Sequence, residues 1–165
     1  LERELYLQAL HKTASMSLMQ YEVSNFAKAD FQSRSNLKVW DGQPYLGLGC
    51  GAHSFDGVNR WGNVRSMRKY MESVGREEPP RDFMETPTRL QQASERLMLS
   101  LRRPEGLNIL SWQEEFQIGL SLEQKNQLEK LKDQDLVSWE SPILKLTTEG
   151  MLLADAITAE LMPEA

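Results

Sequence analysis

The sequence predicts an α+β chain with a mixed first half and a mostly helical, winged-helix-like second half. Three observations carry this. Residues 18–23 alternate in the period of a strand, and a hairpin signal follows around Asp56-Gly57. Between 87 and 161 the apolar residues instead recur at helical spacing. The order there, helix, helix, two short extended segments, helix, is that of a winged helix. At 165 residues the chain is one domain or two small ones, long enough to bury a core without disulfides or metal. Its 40% hydrophobic and 26% charged residues suit a globular chain, and no apolar run approaches the ~20 residues of a membrane span.

The chain opens in a helix through about Thr13, with Leu1, Leu5 and the Leu7/Leu10 pair at helical spacing. It starts at leucine with no signal-peptide pattern, so it is expected to be cut from something longer. Leu18–Val23 reads as a short strand, and Ser24–Pro44 as a polar connection punctuated by aromatics. Tyr45–Leu48 leads into the glycine-rich Gly49-Cys-Gly-Ala-His-Ser54, then the hairpin to Asn59-Arg-Trp61. Ser66–Val74 is a helix with Met67, Tyr70, Met71 and Val74 on one face, and the Met67/Met71 stripe reads as core filler. Gly75-Arg-Glu-Glu-Pro-Pro80 carries linker signals, which divides the chain into 1–80 and 81–165.

In the second half Thr86 is a candidate cap with Pro87 at the first helical position. Leu90, Ala93, Leu97, Met98 and Leu101 then stripe a helix over Pro87–Leu101. Arg102 and Arg103 suit its C-terminal dipole, and Pro104 and Gly106 stop it. Leu110–Phe116 is a short helix. Ser121-Leu-Glu-Gln124 fits a capping box, with Leu122, Leu128 and Leu131 inward. Leu136–Trp139 and Ile143–Leu146 flank a turn at Glu140-Ser-Pro142, and Thr147 or Thr148 caps a last helix that buries Leu153, Ile157 and Leu161.

Charge narrows the function classes. Residues 1–80 hold 10 Lys/Arg against 9 Asp/Glu, and residues 81–165 hold 9 against 15, within an overall net charge of −5. A winged helix this acidic is a poor phosphate-backbone binder, so no nucleic-acid partner is expected and the module reads as a packing unit. The single cysteine, Cys50, excludes an internal disulfide and any multi-cysteine metal site on this chain, and fits a reducing compartment, the cytoplasm. Cys50, His53 and His11 fall short of the four ligands of a structural zinc, so no metal ligand is assigned. No catalytic residue is assigned either: His53 and Ser54 are adjacent in an extended segment and point to opposite sides.

Gly47, Gly49 and Gly51 alternate in Gly47-Leu-Gly-Cys-Gly-Ala-His-Ser54. The motif reads in two ways. Bare backbone amides admit close approach of a ligand, or the glycines mark a tight bend where side chains would clash. The loose dinucleotide fingerprint is not completed, because no helix follows. Arg34, Arg60, Arg65 and Arg68, interleaved with Trp40, Tyr45 and Trp61, either face an anionic ligand or are ion-paired surface arginines.

Longer strings carry a resemblance. Tyr21-Glu-Val-Ser-Asn-Phe-Ala27, Arg34-Ser-Asn-Leu-Lys-Val-Trp40, Tyr45 to Ser54 and Arg60-Trp-Gly-Asn63 closely resemble the C-terminal portion of the oxygen-independent coproporphyrinogen III oxidase-like radical S-adenosylmethionine (SAM) proteins, including their heme-chaperone branch. Glu95–Arg102, Glu105-Gly106 and Leu146-Thr-Thr-Glu-Gly150 resemble that family's C-terminal domain. The resemblance implies the last strands and helices of a partial (β/α) barrel, then a helical C-terminal domain. In the full-length parent a three-cysteine motif, absent here, holds a 4Fe-4S cluster that works with S-adenosylmethionine; no cofactor is expected on this fragment alone. By resemblance Glu22, Ser24, Asn25, Asn36, Trp40 and, from the glycine loop, Gly47, Gly49, Gly51, His53 and Ser54 face the barrel mouth and help enclose cofactor or tetrapyrrole.

Heme-chaperone members carry His-Asn-x-x-Tyr-Trp where this chain has Ser35–Trp40. Ser35 and Val39 replace the histidine and tyrosine, leaving Asn36 and Trp40, and serine is a poor iron ligand. Cys50 stands where proline is usual, as an inert small residue or a compensating ligand. The resulting expectation is a C-terminal fragment of a radical SAM protein of porphyrin and heme metabolism, inactive alone. The alternatives are a heme-binding chaperone without oxidase activity and a regulatory winged-helix module. Open strand edges in the fragment are expected to invite self-association.

Overall fold

The computed structural model describes residues 1–163. The first half starts with α1 (Glu2–Ser15), whose residues are all at least partly exposed, followed by an antiparallel ribbon of β1 (Met19–Glu22) and β2 (Asn25–Ala27). Next comes α2 (Arg34–Trp40), capped by Ser33, whose Oγ accepts from the Asn36 N–H at 3.3 Å. The connection expected at 24–44 therefore holds a strand and a helix. Both are too short, at three and seven residues, for a periodic apolar pattern to stand out.

A second sheet contains β3 (His53–Phe55), β4 (Arg60–Asn63) and, after α3 (Met67–Gly75), β5 (Arg81–Glu85), in the order β3-β4-β5. The hairpin at Asp56-Gly57 is as expected: Asp56 Oδ1 accepts from the N–H groups of Val58 and Asn59 at 2.8 and 2.6 Å. β5, on the far side of the expected linker, pairs with β4, with Asp82 bulged out between the pairs Gly62↔Phe83 and Asn63↔Arg81. α3 differs from expectation in packing. Met67, Met71 and Val74 are 67%, 59% and 47% exposed, so they are surface and not core.

The second half holds the core. α4 (Arg89–Leu101) begins two residues later than the sequence reading, because Thr88 and not Thr86 is the cap. Thr88 Oγ1 accepts from the Gln91 N–H, and Gln91 Oε1 accepts from the Thr88 N–H. Thr86 has Arg89 at the matching position, which cannot accept the return bond. After α4 come β6 (Leu107–Asn108), α5 (Ile109–Phe116), α6 (Leu122–Asp133), β7 (Val137–Glu140) and β8 (Ile143–Leu146). The wing is a three-stranded sheet in the order β6-β8-β7, one two-residue strand more than expected.

Ser121 and Gln124 form the expected capping box, but Leu122 is 75% exposed. Gln124 takes the inward place, donating to the carbonyls of Leu161 and Met162 at 2.9 and 3.1 Å. The last helix is two: α7 (Thr148–Met151), capped by Thr147, and α8 (Ala154–Glu160), with Leu153 exposed at the break. In α7 a Cβ on Gly150 would lie 1.9 Å from the Leu136 carbonyl oxygen, so this helix presses directly on the strand entry. Ala93, Leu97, Leu101, Trp112, Leu128, Leu144, Ile157 and Leu161 fill the core between these elements. Among the described residues no helix is long and apolar enough to cross a membrane.

Candidate functional site

Residues implied by the resemblance fall into three groups. The first is the turn between β1 and β2. Glu22 is 1% exposed, and its Oε1 accepts from the Ser24 N–H at 3.0 Å and from Asn25 Nδ2. The buried carboxylate thus organises its own turn, while Ser24 and Asn25 stay at the surface, Ser24 beside the α7–α8 corner. Gln20 supports the same turn by donating to the Val23 carbonyl and to Tyr6 Oη of α1.

The second group is the glycine loop. Gly47 runs so close to β3 that a Cβ there would sit 2.1 Å from the His53 carbonyl oxygen. Its N–H donates to Ser54 Oγ at 2.9 Å, and Ser54 is fully buried. The Gly49 N–H donates to Tyr70 Oη of α3 at 3.1 Å, and the Gly51 N–H to the Val64 carbonyl at 3.0 Å. Asn63 Nδ2 donates back to the carbonyls of Gly49 and Gly47 at 2.9 and 3.3 Å. The three glycine amides are therefore engaged within the protein, and the geometry at Gly47 is that of a bend too tight for a side chain. Asn63 and Tyr70, which the sequence reading does not place among the site residues, stitch the loop.

His53 lies on the other face of the sheet. It and Phe83 both pair with Gly62, and their rings meet edge to face above it with centroids 5.5 Å apart. Ser54 and His53 are thus separated by the sheet, as their adjacency predicts. Cys50 is half-buried and free, and the described residues contain no cluster of three or more His, Cys, Asp or Glu suited to a metal ion.

The third group is α2, where Asn36 and Trp40 are half-buried. Among the described residues no side-chain hydrogen bond joins the three groups to one another. The arginine set is partly spent on ion pairs. Arg60 donates to Glu95 of α4 at 2.5 Å, which pushes its already high pKa further up, and Arg68 pairs with Glu72 at 2.7 Å. Arg34 and Arg65 are exposed.

Comparison with known proteins shows what the chain is similar to. Residues 88–153 match the HemN C-terminal domain. The fold matches the structure reported as "Coproporphyrinogen III oxidase (HemN) from Escherichia coli is a Radical SAM enzyme" over 94% of this chain and 39% of that one, at a TM-score of 0.73 and 17% identity. In fold and in the matched residues the chain is similar to the C-terminal part of that protein.

The chain is also similar to curated heme chaperones. The heme chaperone HemW of Bacillus subtilis is 30% identical over 164 residues, 99% of this chain and 43% of that protein. HemW of Mycobacterium tuberculosis is 31% identical over 142 residues, 86% of this chain and 34% of that protein. The mitochondrial radical S-adenosyl methionine domain-containing protein 1 of Danio rerio is 28% identical over 97% of this chain and 38% of its own length. The chain spans less than half the length of these curated relatives.

Proposed function

We propose that this chain is the C-terminal part of a radical SAM protein of porphyrin and heme metabolism. Residues 1–80 would complete the barrel and residues 81–165 would form the packed C-terminal domain. The observation that carries this is similarity to a heme chaperone over 99% of the chain. In this reading the parent holds S-adenosylmethionine and a 4Fe-4S cluster. One cysteine cannot supply three thiolates, so no cluster chemistry is assigned to the residues here and the fragment alone is inactive. Glu22, Ser24, Asn25, Asn36, Trp40, Gly47, Gly49, Gly51, His53 and Ser54 are proposed to border the tetrapyrrole or cofactor. The loop glycines would do so by shape, since their amides are already bonded.

The second reading, a heme chaperone without oxidase activity, is favoured by the names of the relatives and opposed by Ser35 in place of a ligating histidine. A reducing, cytoplasmic setting is proposed for either. For self-association the β1–β2 ribbon is the proposed contact. The β5 edge is less suited, because its bulge and the charges of Arg81, Asp82 and Glu85 blunt it.

Two measurements on the full-length protein test these readings. After anaerobic cluster reconstitution it is expected to show cluster absorbance and cleave S-adenosylmethionine; failure of both refutes the radical-enzyme reading. Hemin is expected to give a Soret shift that His53→Ala or Cys50→Ala alters, and a shift unchanged by both removes ligation from this region.

A further inference from the structure

α2 is fixed from outside its own half. None of its residues is fully buried, and Leu37 and Trp40 are only half-buried, so apolar packing alone gives it a weak hold. Its C-terminal end meets two guanidinium groups from α4 and the turn after it. Arg96 Nη1 donates to the Asp41 carbonyl oxygen at 3.0 Å, and Arg103 Nη1 donates to the Asp41 carboxylate. Asp41 is the C-cap residue of α2. The chain then closes by bonds from the Gly42 N–H to the Val39 carbonyl and from the Gln43 N–H to the Lys38 carbonyl, at 3.0 and 2.8 Å. Gly42, at φ +65°, lies under Arg96: a Cβ there would sit 3.5 Å from Nη2.

Electrostatics gives this arrangement its sense. A helix C-terminus favours cations and disfavours a carboxylate, so Asp41 is tolerable there when a guanidinium neutralises it, and Arg96 adds a second cation at the same end. The Arg103 side chain is 20% exposed and that of Asp41 42%, so the pair is partly screened and its effect is mainly on orientation. Glu105 also faces this guanidinium, 3.2 Å from Nε. The Arg60–Glu95 pair straps the same face of α4 to β4.

We propose that Arg96 and Arg103 are positioning residues that act through Asp41, so that the C-terminal domain sets how α2 presents Asn36 and Trp40 to a tetrapyrrole. The tetrapyrrole half rests on the function proposed above; the fixing of α2 does not.

The test compares wild type, Asp41→Asn, Arg103→Gln and Arg103→Lys in the full-length protein, by hydrogen exchange and hemin titration. Asp41→Asn and Arg103→Gln are expected to speed exchange across residues 34–43 roughly five- to tenfold, leaving α5 and α6 unchanged. They are also expected to weaken hemin binding by a comparable factor with an altered Soret band, while Arg103→Lys keeps most of both properties. Unchanged exchange at 34–43 in both variants overturns the clamp. Faster exchange with hemin binding unaltered overturns the positioning role. A wild type that binds no hemin overturns the tetrapyrrole reading, and the exchange data then still decide whether α4 fixes α2.

Discussion

Replacing Gly47 by alanine separates the two readings of the glycine loop, because the geometry there leaves no room. The added Cβ would sit 2.1 Å from the His53 carbonyl oxygen and 2.8 Å from the carbonyl carbon, against backbone that cannot rotate away. An ordinary carbon–oxygen contact is more than about 3 Å, so the segment must separate from β3 by roughly 1 Å. That shift disturbs the bond from the Gly47 N–H to Ser54 Oγ and loosens the one from Asn63 Nδ2 to the Gly47 carbonyl. Overpacking of this kind costs about 1–3 kcal/mol, and a weakened bond to a buried hydroxyl adds about 1 kcal/mol. Gly47→Ala is therefore expected to destabilise by about 2–4 kcal/mol. Gly51→Ala is the comparison. A Cβ there would meet only Arg65 Cγ at 3.8 Å, but the backbone φ is +69°, so the cost is the left-handed strain alone, about 1 kcal/mol. Equilibrium urea unfolding of both variants provides the measurement. If Gly47→Ala lies within 0.5 kcal/mol of wild type (about the spread of a neutral surface change), the crowding argument is wrong.

Two further outcomes follow from the packing and the hairpin. Leu97, 2% exposed at the centre of the core, is expected to cost about 2–5 kcal/mol on truncation to alanine, and chemical denaturation showing less than 1 kcal/mol would refute its central place. Asp56 is fully exposed, yet the N–H groups of Asn59 and Val58, with the Asn59 side chain, hold its carboxyl below the ordinary aspartate range. Because the folded pKa is depressed, the hairpin's gain is complete above the unfolded pKa and is lost as pH falls through the folded one. A pH titration of the Val58 and Asn59 amide resonances should give a midpoint below that of an unstructured aspartate, and a midpoint at or above it contradicts the turn geometry.

Legibility in the sequence tracked the source of each element's stability. α4, α5 and α6 were readable because Ala93, Leu97, Leu101, Trp112, Leu128 and Leu131 recur at the spacing that buries them. The misreadings there were local: Thr86 stood in for Thr88, and Leu122 was placed inward where Gln124 goes. The first half yielded less. α2 buries no residue fully and is held by partners 55 and 62 residues further along the chain, a relation no periodicity encodes. β5 exposes all five of its residues and exists because β4 offers an edge. In the candidate site the strings were recognisable while their bonding was not. Glu22 could be named as a site residue, but that its carboxylate closes the Ser24-Asn25 turn requires the turn itself. Likewise, the glycine spacing left ligand approach and steric crowding open, and it took the position of the His53 carbonyl to show the crowding at Gly47.

α4 is one of the places where the two halves meet, and it does so with different faces. Ala93, Leu97 and Leu101 enter the core, while Glu95 and Arg96, with Arg103 just beyond its end, reach Arg60 and Asp41. Among the described residues, every buried apolar residue apart from Tyr21, Ala27 and Pro87 lies at or beyond Ala93. Since apolar burial is the dominant favourable term in folding, the second half has the means to hold itself together. In the first half the buried groups include Glu22, Ser54 and Asn63, which fix geometry through hydrogen bonds more than they add net stability. Meanwhile Leu46, Leu48, Met67 and Met71 stay exposed and contribute little. A segment built in this way depends on its neighbours for its placement, and for α2 and the start of β4 the polar face of α4 is one of them. Cutting the polar contacts made by Glu95, Arg96 and Arg103 should therefore disorder α2 and the Arg60 end of β4 while the apolar face of α4 keeps the helical core intact.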